Sequence, residues 1–338
     1  MKKEFNTKRI TSIGGSALIE GIMMRGPKKT TVAVRTGEEE IYTEDLKFTS
    51  LAEKFKIFRI PFFRGISGLI DSMRLSYKAL MLSADKAIES VPEDEHEEPS
   101  KFEKWIDEKF GDKFFKVLMV AASVLGVAIA VLLFFIVPSA LFDLTNYVSA
   151  DFHSSWLARS VIEGIIRIAL FLFYIVVCSK MSDMKRVFMY HGAEHKTIFC
   201  YENELELTVE NVRKQSRFHP RCGTSFMVIM ILVGIIIGLF IHIANPFLRA
   251  VVKILLLPIS CGVGYELIKL CGRHNNLLTQ IIAAPGLWAQ RITTKEPDDK
   301  MIEVAIKAMK SVIPENGEDL LPQKQKNVEG KKEIKGEC

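Results

Sequence analysis

The stretch VLMVAASVLGVAIAVLLFFIVP, residues 117–138, decides the fold class, because none of its 22 residues carries a charge. As an α-helix rising about 1.5 Å per residue it would be about 33 Å long, and the hydrocarbon core of a bilayer is about 30 Å thick. The sequence therefore predicts a protein built around membrane-spanning helices.

Three further apolar segments follow, at residues 157–178, 226–244 and 250–271. The last is the weakest, because it contains Lys253, Pro258, Glu266 and Lys269. Each segment is long enough to cross the bilayer as a helix. We therefore expect a mostly α, polytopic membrane protein with about four spans, in which residues 117–291 form the membrane domain.

The charge of the loops predicts how the spans are oriented. Residues 139–156 contain no Lys or Arg, whereas residues 179–225 contain eight. Positively charged loops stay in the cytoplasm. The chain is accordingly predicted to lie in a bacterial cell membrane as a multi-pass protein, with loop 179–225 and both termini cytoplasmic.

The segments outside the spans are predicted to be small cytoplasmic elements. Residues 1–48 form a cap with a β-hairpin made of strands at 32–35 and 41–48. The glycine-rich stretch 14–27 is interpreted as a structural loop, since it lacks the Lys-Ser/Thr ending of a phosphate-binding loop. Within residues 49–116 we expect an amphipathic helix at 62–88, lying on the inner leaflet or packed on the spans, and an acidic linker at 90–101 with a solvated His96.

The C-terminal part is expected to leave the membrane through an interfacial turn at residues 281–291, around Pro285. Residues 292–313 contain a short helix that starts near residue 297, and the Lys- and Glu-rich residues 314–338 form a disordered tail.

Composition excludes some classes of partner. The chain of 338 residues has 45 basic and 40 acidic side chains, and a net charge of +5 is too small to favour nucleic acid. Its six cysteines form no Cys-x-x-Cys pair and fit no disulfide framework, so reduced thiols are expected. Membrane lipids are the predicted partners, and the sequence says nothing about protein partners.

The first candidate site is the segment YHGAEHK, residues 190–196. On a helix, His191 and His195 lie one turn apart on one face, where both can bind one metal ion. Glu194 borders that face and could act as a general base or support a ligand. This His-x-x-Glu-His order is found in zinc hydrolases. The alternative is a helix end at the membrane interface, where these side chains are simply solvated.

A second cluster supplies further ligands. His219 and Cys222 lie three residues apart, just before the third predicted span, and can share a soft metal such as zinc. The alternative is that this segment only forms a turn at the membrane surface. Glu202 and Glu266 are other possible ligands, and the sequence does not choose among them.

A third feature is the charged ladder Arg159, Glu163 and Arg167 inside the second predicted span. A spacing of four places all three side chains on one helix face. Ionisable residues within a bilayer face a bundle interior or a wet cavity. The ladder is either a polar path or anionic headgroup site, or an internal Arg–Glu–Arg clamp that holds the spans together.

Four segments together resemble one family: IGGSALIEGIMMRGP, HGAEHKTIFCYE, RFHPRCGTSF and QRITTKEPDDKMIEVAI. They are similar to the YqhQ-like bacterial membrane proteins, the domain of unknown function numbered 1385, over about residues 13–312. The resemblance implies a multi-spanning, metal-dependent protein with no established substrate. It points to the matching residues His191, Glu194, His195, His219 and Cys222.

Three functions follow from these features. The first is a membrane-embedded hydrolase that acts at the cytoplasmic surface, in which His191 and His195 hold zinc and Glu194 activates water. The second is a non-catalytic transporter or lipid-handling protein whose core is the charged ladder. The third is a membrane scaffold that recruits soluble partners through residues 1–110 and the tail.

The predicted topology can be tested by cysteine labelling in intact cells. We expect a membrane-impermeant maleimide to label Ser149→Cys, because it lies in the loop without positive charge, and to leave Ser182→Cys unlabelled. The unsubstituted protein gives the background from native cysteines. If only Ser182→Cys were labelled, the predicted orientation of the spans would be wrong.

Overall fold

The structure is a computed structural model that describes residues 7–89, 117–118, 120–148, 156–243, 245–273 and 276–321. The predicted acidic linker with His96, residues 149–155 of the predicted outer loop and residues 322–338 of the predicted tail lie outside these ranges. The described chain is mostly helical, with one small antiparallel sheet near its N-terminus.

The sheet has four strands, β1 to β4, in sequential order. They comprise Gly14–Leu18, Gly21–Arg25, Thr30–Arg35 and Ile41–Asp45. The predicted hairpin is β3–β4, and the interpretation of residues 14–27 as a loop was wrong, because they form the β1–β2 hairpin. The period-two signal was missed because β2 is covered on both faces and reads as a continuous apolar run.

Both faces of this sheet are covered by helices. After the short helix α1, Leu51–Lys54, helix α2 covers one face as Phe63–Glu89, and its Leu75 and Ala79 pack on Met23 and Val32. The other face packs on α5, Ser182–Glu202, and α11, Asp299–Val312, through Ile22 and Met24. A three-layer cap results, with α5 in its interior.

The buried side of helix α2 is not the apolar side that its amphipathic pattern predicts to be buried. Apart from Leu75, its buried stripe is small or polar and includes Gly65, Ser67 and Asp71. Larger apolar side chains such as Met73 and Tyr77 are exposed. Glycine at 65 is required, since a Cβ there would lie 2.7 Å from Tyr265 in the helix Leu257–Arg273. The helix packs on its neighbours through small residues and leaves its apolar face uncovered within the described structure.

Two helices in the described ranges are long and apolar enough to cross a membrane, α3 at Val120–Leu144 and α4 at Trp156–Cys178. Helix α3 contains a π-helical turn, Leu132–Ile136, and continues as Val137–Val148. A third span is possible if the bent pair α8 and α9 counts as one. These helices comprise Pro246–Leu255 and Leu257–Arg273 and meet at 46°.

Two of the remaining helices differ from the elements that the sequence predicts. The third predicted span corresponds to the 16-residue helix α7, Gly223–Gly238, which is shorter than a full span, so the described residues contain two or three helices that are long enough to span a membrane. The predicted interfacial turn at 281–291 was wrong, because these residues lie within helix α10, Leu277–Thr293, which contains Pro285. Helix α6 is the short segment Val209–Arg213.

The C-terminal helix is confirmed as α11, with Asp298 as its N-cap. The prediction of a disordered tail from residue 314 was wrong for residues 314–321, because this segment folds back on the cap. Leu320 bridges to Thr11, and the Tyr201 hydroxyl and the Thr11 hydroxyl both donate to the buried Asp319 carboxylate.

The charged ladder is a clamp with a different membership from the predicted one. The buried Glu163 carboxylate accepts hydrogen bonds from Arg159, from Arg249 at 2.8 Å and from Lys253 at 2.5 Å, both on α8. Arg167 does not join it and instead donates from Nε to the carbonyl of Phe134 on α3. Glu163 therefore ties α4 to α8.

Replacing Glu163 tests this clamp. We expect Glu163→Ala to lower the free energy of unfolding by about 3–5 kcal/mol, because buried cations lose their counter-charge, and Glu163→Asp to lower it less. Thermal unfolding of the purified protein in detergent measures both. Glu210→Ala is the control, since its pair with Lys214 is exposed. Equal midpoints for Glu163→Ala and Glu210→Ala would rule out the clamp.

Candidate metal centre

The two histidines of the His-x-x-Glu-His segment lie side by side on α5. Their ring centroids are 4.4 Å apart, as expected one helical turn apart. His195 is buried, whereas His191 remains partly exposed. The site therefore lies where the helix enters the interior of the cap.

Backbone carbonyls fix the orientation of both rings. His191 Nδ1 lies 2.8 Å from the carbonyl oxygen of Thr293, and His195 Nδ1 lies 2.6 Å from that of Arg217. A carbonyl only accepts, so both Nδ1 atoms carry the proton. When the imidazole is neutral, Nε2 then offers a lone pair, the arrangement that histidine ligands of metals adopt.

Cys222 completes a group of three possible ligands. Its Sγ lies 3.1 Å from His191 Nε2, and one donor atom from each of His191, His195 and Cys222 lies within 4.8 Å of the others. Zinc–nitrogen and zinc–sulfur bonds of about 2.0 and 2.3 Å in a tetrahedron place such atoms about 3.5 Å apart. The three side chains thus fit a zinc ion without rearrangement of the fold.

The electrostatics of this group favour a thiolate. Burial acts to raise the pKa of Cys222, yet the neighbouring His191 and His195 hold it well below its usual value. Burial acts to lower the pKa of His191, yet the Cys222 thiolate raises it to about 9. A proton between Nε2 and Sγ occupies the position that a metal ion would take, and ligation requires its release.

The Glu194 carboxylate lies beside the three possible ligands and can still accept a hydrogen bond. It is buried, and its Oε2 has no hydrogen-bond partner within the described chain. Burial raises its pKa above the ordinary value. The backbone of β1 approaches closely here, because a Cβ on Gly15 would lie 2.9 Å from Glu194 Cδ. Gly15 is therefore required where the strand meets the carboxylate.

A buried glutamine positions the loop that carries Cys222. Gln290 on α10 accepts a hydrogen bond from the His219 N–H and donates to the His219 carbonyl and to Ser225 Oγ. Helices α7 and α10 touch at this point, since a Cβ on Gly286 would lie 2.6 Å from Ser225. The turn between His219 and Ser225 is thereby fixed against α10, and Cys222 is held at the N-cap of α7.

His219 and Glu202 lie beside the cluster and face each other. His219 Nε2 lies 3.7 Å from Glu202 Oε2, and burial lowers the His219 pKa to about 4. Glu202 also binds Arg221 and the Thr11 N–H. Burial acts to raise the Glu202 pKa, but His219 and Arg221 hold it below the ordinary value. Both side chains therefore lie beside the cluster, and the Glu202 carboxylate is bound by Arg221 and Thr11.

Glu266 is not brought to this site. It forms a bidentate pair with Arg64, at 2.7 and 2.5 Å, where α2 packs on α9. The sequence offered four possible further ligands, and the structure places only Cys222 with the two histidines.

Three residues of the site were missed in the sequence. Gly15 lay in a stretch interpreted as a loop, Gln290 lies in a segment predicted as a turn, and Thr293 contributes only a backbone carbonyl. The isolated amide of Gln290 in an apolar helix was the one available signal, because a buried amide requires partners.

Comparison with known proteins places the chain in a family. The profile of the family described as "Protein of unknown function (DUF1385)" matches residues 60–315. The chain belongs to this family. It is 33% identical over 306 residues to "Uncharacterized protein YqhQ" of Bacillus subtilis (strain 168), covering 89% of this chain and 92% of that protein. No solved structure matches the chain.

The close approach of α5 to the segment after α10 can be tested with glycine variants. A Cβ on Gly192 would lie 2.0 Å from the Lys295 carbonyl oxygen, so Gly192→Ala must separate His191 from Thr293. We expect a loss of about 1–3 kcal/mol of stability from this overpacking, measured as a lower midpoint of thermal unfolding. Gly223→Ala, which meets nothing within 4 Å, is the matched control. Identical midpoints would contradict the packing.

Proposed function

We propose that this protein is a membrane-embedded, metal-dependent hydrolase that acts at the cytoplasmic surface of a bacterial cell membrane. The observation that carries the proposal is the convergence of His191, His195 and Cys222 within 4.8 Å, beside a buried Glu194 with an unpartnered oxygen. The substrate class is a peptide, a lipid ester or a phosphoester.

The number of ligands supports a catalytic centre. Structural zinc sites have four protein ligands, whereas catalytic sites have three and keep the fourth position open. Two imidazoles and one thiolate are a set that suits zinc better than magnesium or calcium. Glu202 is already bound by Arg221 and the Thr11 N–H, and His219 is not among the three ligand atoms that lie within 4.8 Å of one another, so the fourth position would be left to solvent or substrate.

Glu194 is suited to move a proton. Zinc bound by the three ligands would supply Lewis-acid polarisation and a water of lowered pKa. The free Oε2 of Glu194 would take the proton of that water and pass it to the leaving group. Burial raises the pKa of Glu194 above its ordinary value, which suits a group that must release as well as accept a proton.

Several features support a membrane setting. Helices α3 and α4 are long and apolar, and α3 is fully exposed over its most apolar window. The uncovered apolar side of α2 could lie in the membrane interface. Loop 179–225, which contains α5, carries eight of the basic residues and is expected on the cytoplasmic side.

Metal analysis of the purified full chain is the primary test. After growth with zinc, we expect about one zinc per chain in the wild type and in Glu194→Gln, and none in His195→Ala, because two ligands do not retain zinc. His242→Ala is the control for loss of a histidine outside the site. A wild type without zinc, or zinc retained in His195→Ala, would contradict the proposal.

The role of Glu194 is tested on three probes, a fluorogenic peptide, a p-nitrophenyl acyl ester and p-nitrophenyl phosphate. We expect hydrolysis of one of them to fall about 10²- to 10⁴-fold in Glu194→Gln, since an amide cannot accept the proton. Equal rates in Glu194→Gln and the wild type would remove Glu194 from the reaction.

One observation favours a second candidate, a thiol-dependent hydrolase. Cys222 is the N-cap residue of α7, where the helix dipole stabilises a thiolate, and His191 Nε2 lies 3.1 Å from its sulfur. A chelator distinguishes the two. Phenanthroline would abolish hydrolysis by the metal enzyme and leave the thiol enzyme active, whereas iodoacetamide would still inactivate the latter.

A further inference from the structure

A cavity lies between the apolar helices, and none of the proposed metal ligands lines it. Its volume is about 210 Å³, and its walls come from α3, α4, α7, α8 and α9. This is several times the roughly 30 Å³ that one water occupies, so the space can hold more than a single ion or solvent molecule. The walls are mostly apolar, with side chains such as Phe171, Met230, Ile237 and Leu256.

Two cations also line this cavity, Arg167 from α4 and Lys253 from α8. Arg167 is 7% exposed, and its Nη2 has no hydrogen-bond partner within the described residues. The guanidinium is held by its Nε bond to the Phe134 carbonyl and by the Phe135 ring 5.3 Å away. A buried guanidinium with a free donor is costly unless an acceptor is supplied.

The charges around the cavity do not balance. Arg159, Arg167, Arg249 and Lys253 supply four positive charges, and Glu163 and Asp143 supply two negative ones. Glu163 is already bound by three of the four cations, and Asp143 pairs with Arg159. An excess of two positive charges remains in this described cluster, and Arg167 is the member without a carboxylate partner.

We propose that this cavity binds an anionic amphiphile, with its carboxylate or phosphate on Arg167 and Lys253 and its acyl chain along the apolar walls. A bare inorganic anion would satisfy the charge and leave the apolar walls unfilled, and a neutral lipid would do the reverse. An amphiphile with an anionic end satisfies both, because charge-assisted hydrogen bonds and apolar burial act together. This site is separate from the proposed metal centre.

Photolabelling tests the proposal with the full chain purified in dodecyl maltoside. The probes are palmitic acid and palmityl alcohol with a diazirine at the same chain position. At subsaturating concentration we expect the acid to label the protein about tenfold more than the alcohol, as one charge-assisted hydrogen bond requires. The labelled peptides should include residues 226–237 of α7.

Two variants separate the charge from the space. Arg167→Gln should abolish the preference for the acid, and Arg167→Lys should retain part of it. Gly234→Leu should reduce labelling by both probes, because a Cβ at Gly234 meets only Ser260 Oγ at 3.8 Å and the larger side chain fills the cavity. Gly126→Leu is its matched control, since that glycine meets nothing within 4 Å.

The outcomes are decisive even if Arg167→Gln fails to fold. Equal labelling by acid and alcohol, or equal labelling of Gly234→Leu and Gly126→Leu, would overturn the proposal. Displacement of the acid by inorganic phosphate alone would also overturn it, since the site would then bind a free anion. Displacement by dioleoyl phosphatidic acid identifies a phospholipid headgroup, and its failure identifies a free carboxylate; both results support an anionic amphiphile.

Discussion

The burial of a polar helix is the constraint on which the rest of this structure depends. Helix α5 carries Glu194, His195, Lys196 and Glu202 into the interior of the cap, where each polar group needs a partner. Lys196 donates to the Arg213 carbonyl and pairs with Glu296, and Glu202 is bound by Arg221 and the Thr11 N–H. The sheet, α11 and the loop after α6 are arranged around these requirements.

The same constraint distinguishes the candidate centre from its surroundings. Most buried polar groups of α5 are satisfied by neighbours, but Glu194 Oε2 is not, and the Nε2 lone pairs of the two histidines face the Cys222 sulfur. Evolution of stability alone would have paired or removed such groups. An unpartnered carboxylate oxygen beside two imidazoles and a thiol is the physical reason to propose chemistry at this point.

Arg167 Nη2 is another of the buried polar atoms that have no hydrogen-bond partner within the described residues, and it lies among the apolar helices. At the candidate metal centre the available atoms are lone pairs and a thiolate, which would bind a cation. At Arg167 the free atom is a guanidinium N–H, which would bind an anion. Glu163 does not connect these two sites, since its carboxylate oxygens are bound by Arg159, Arg249 and Lys253.

The sequence by itself determined the elements with strong local signals. The apolar runs of α3 and α4, helix α2, the β3–β4 hairpin, the N-cap of α11 and the one-turn spacing of His191 and His195 all follow from hydropathy, periodicity or capping. The tertiary structure decided which side of α2 is covered, that β1 and β2 complete the sheet, and that Cys222 rather than Glu266 joins the histidines. Those outcomes depend on contacts between residues distant in the chain, such as Gly15 with Glu194 and Gln290 with His219. Local sequence patterns carry no record of such contacts, because packing and polar satisfaction are settled only when the elements meet.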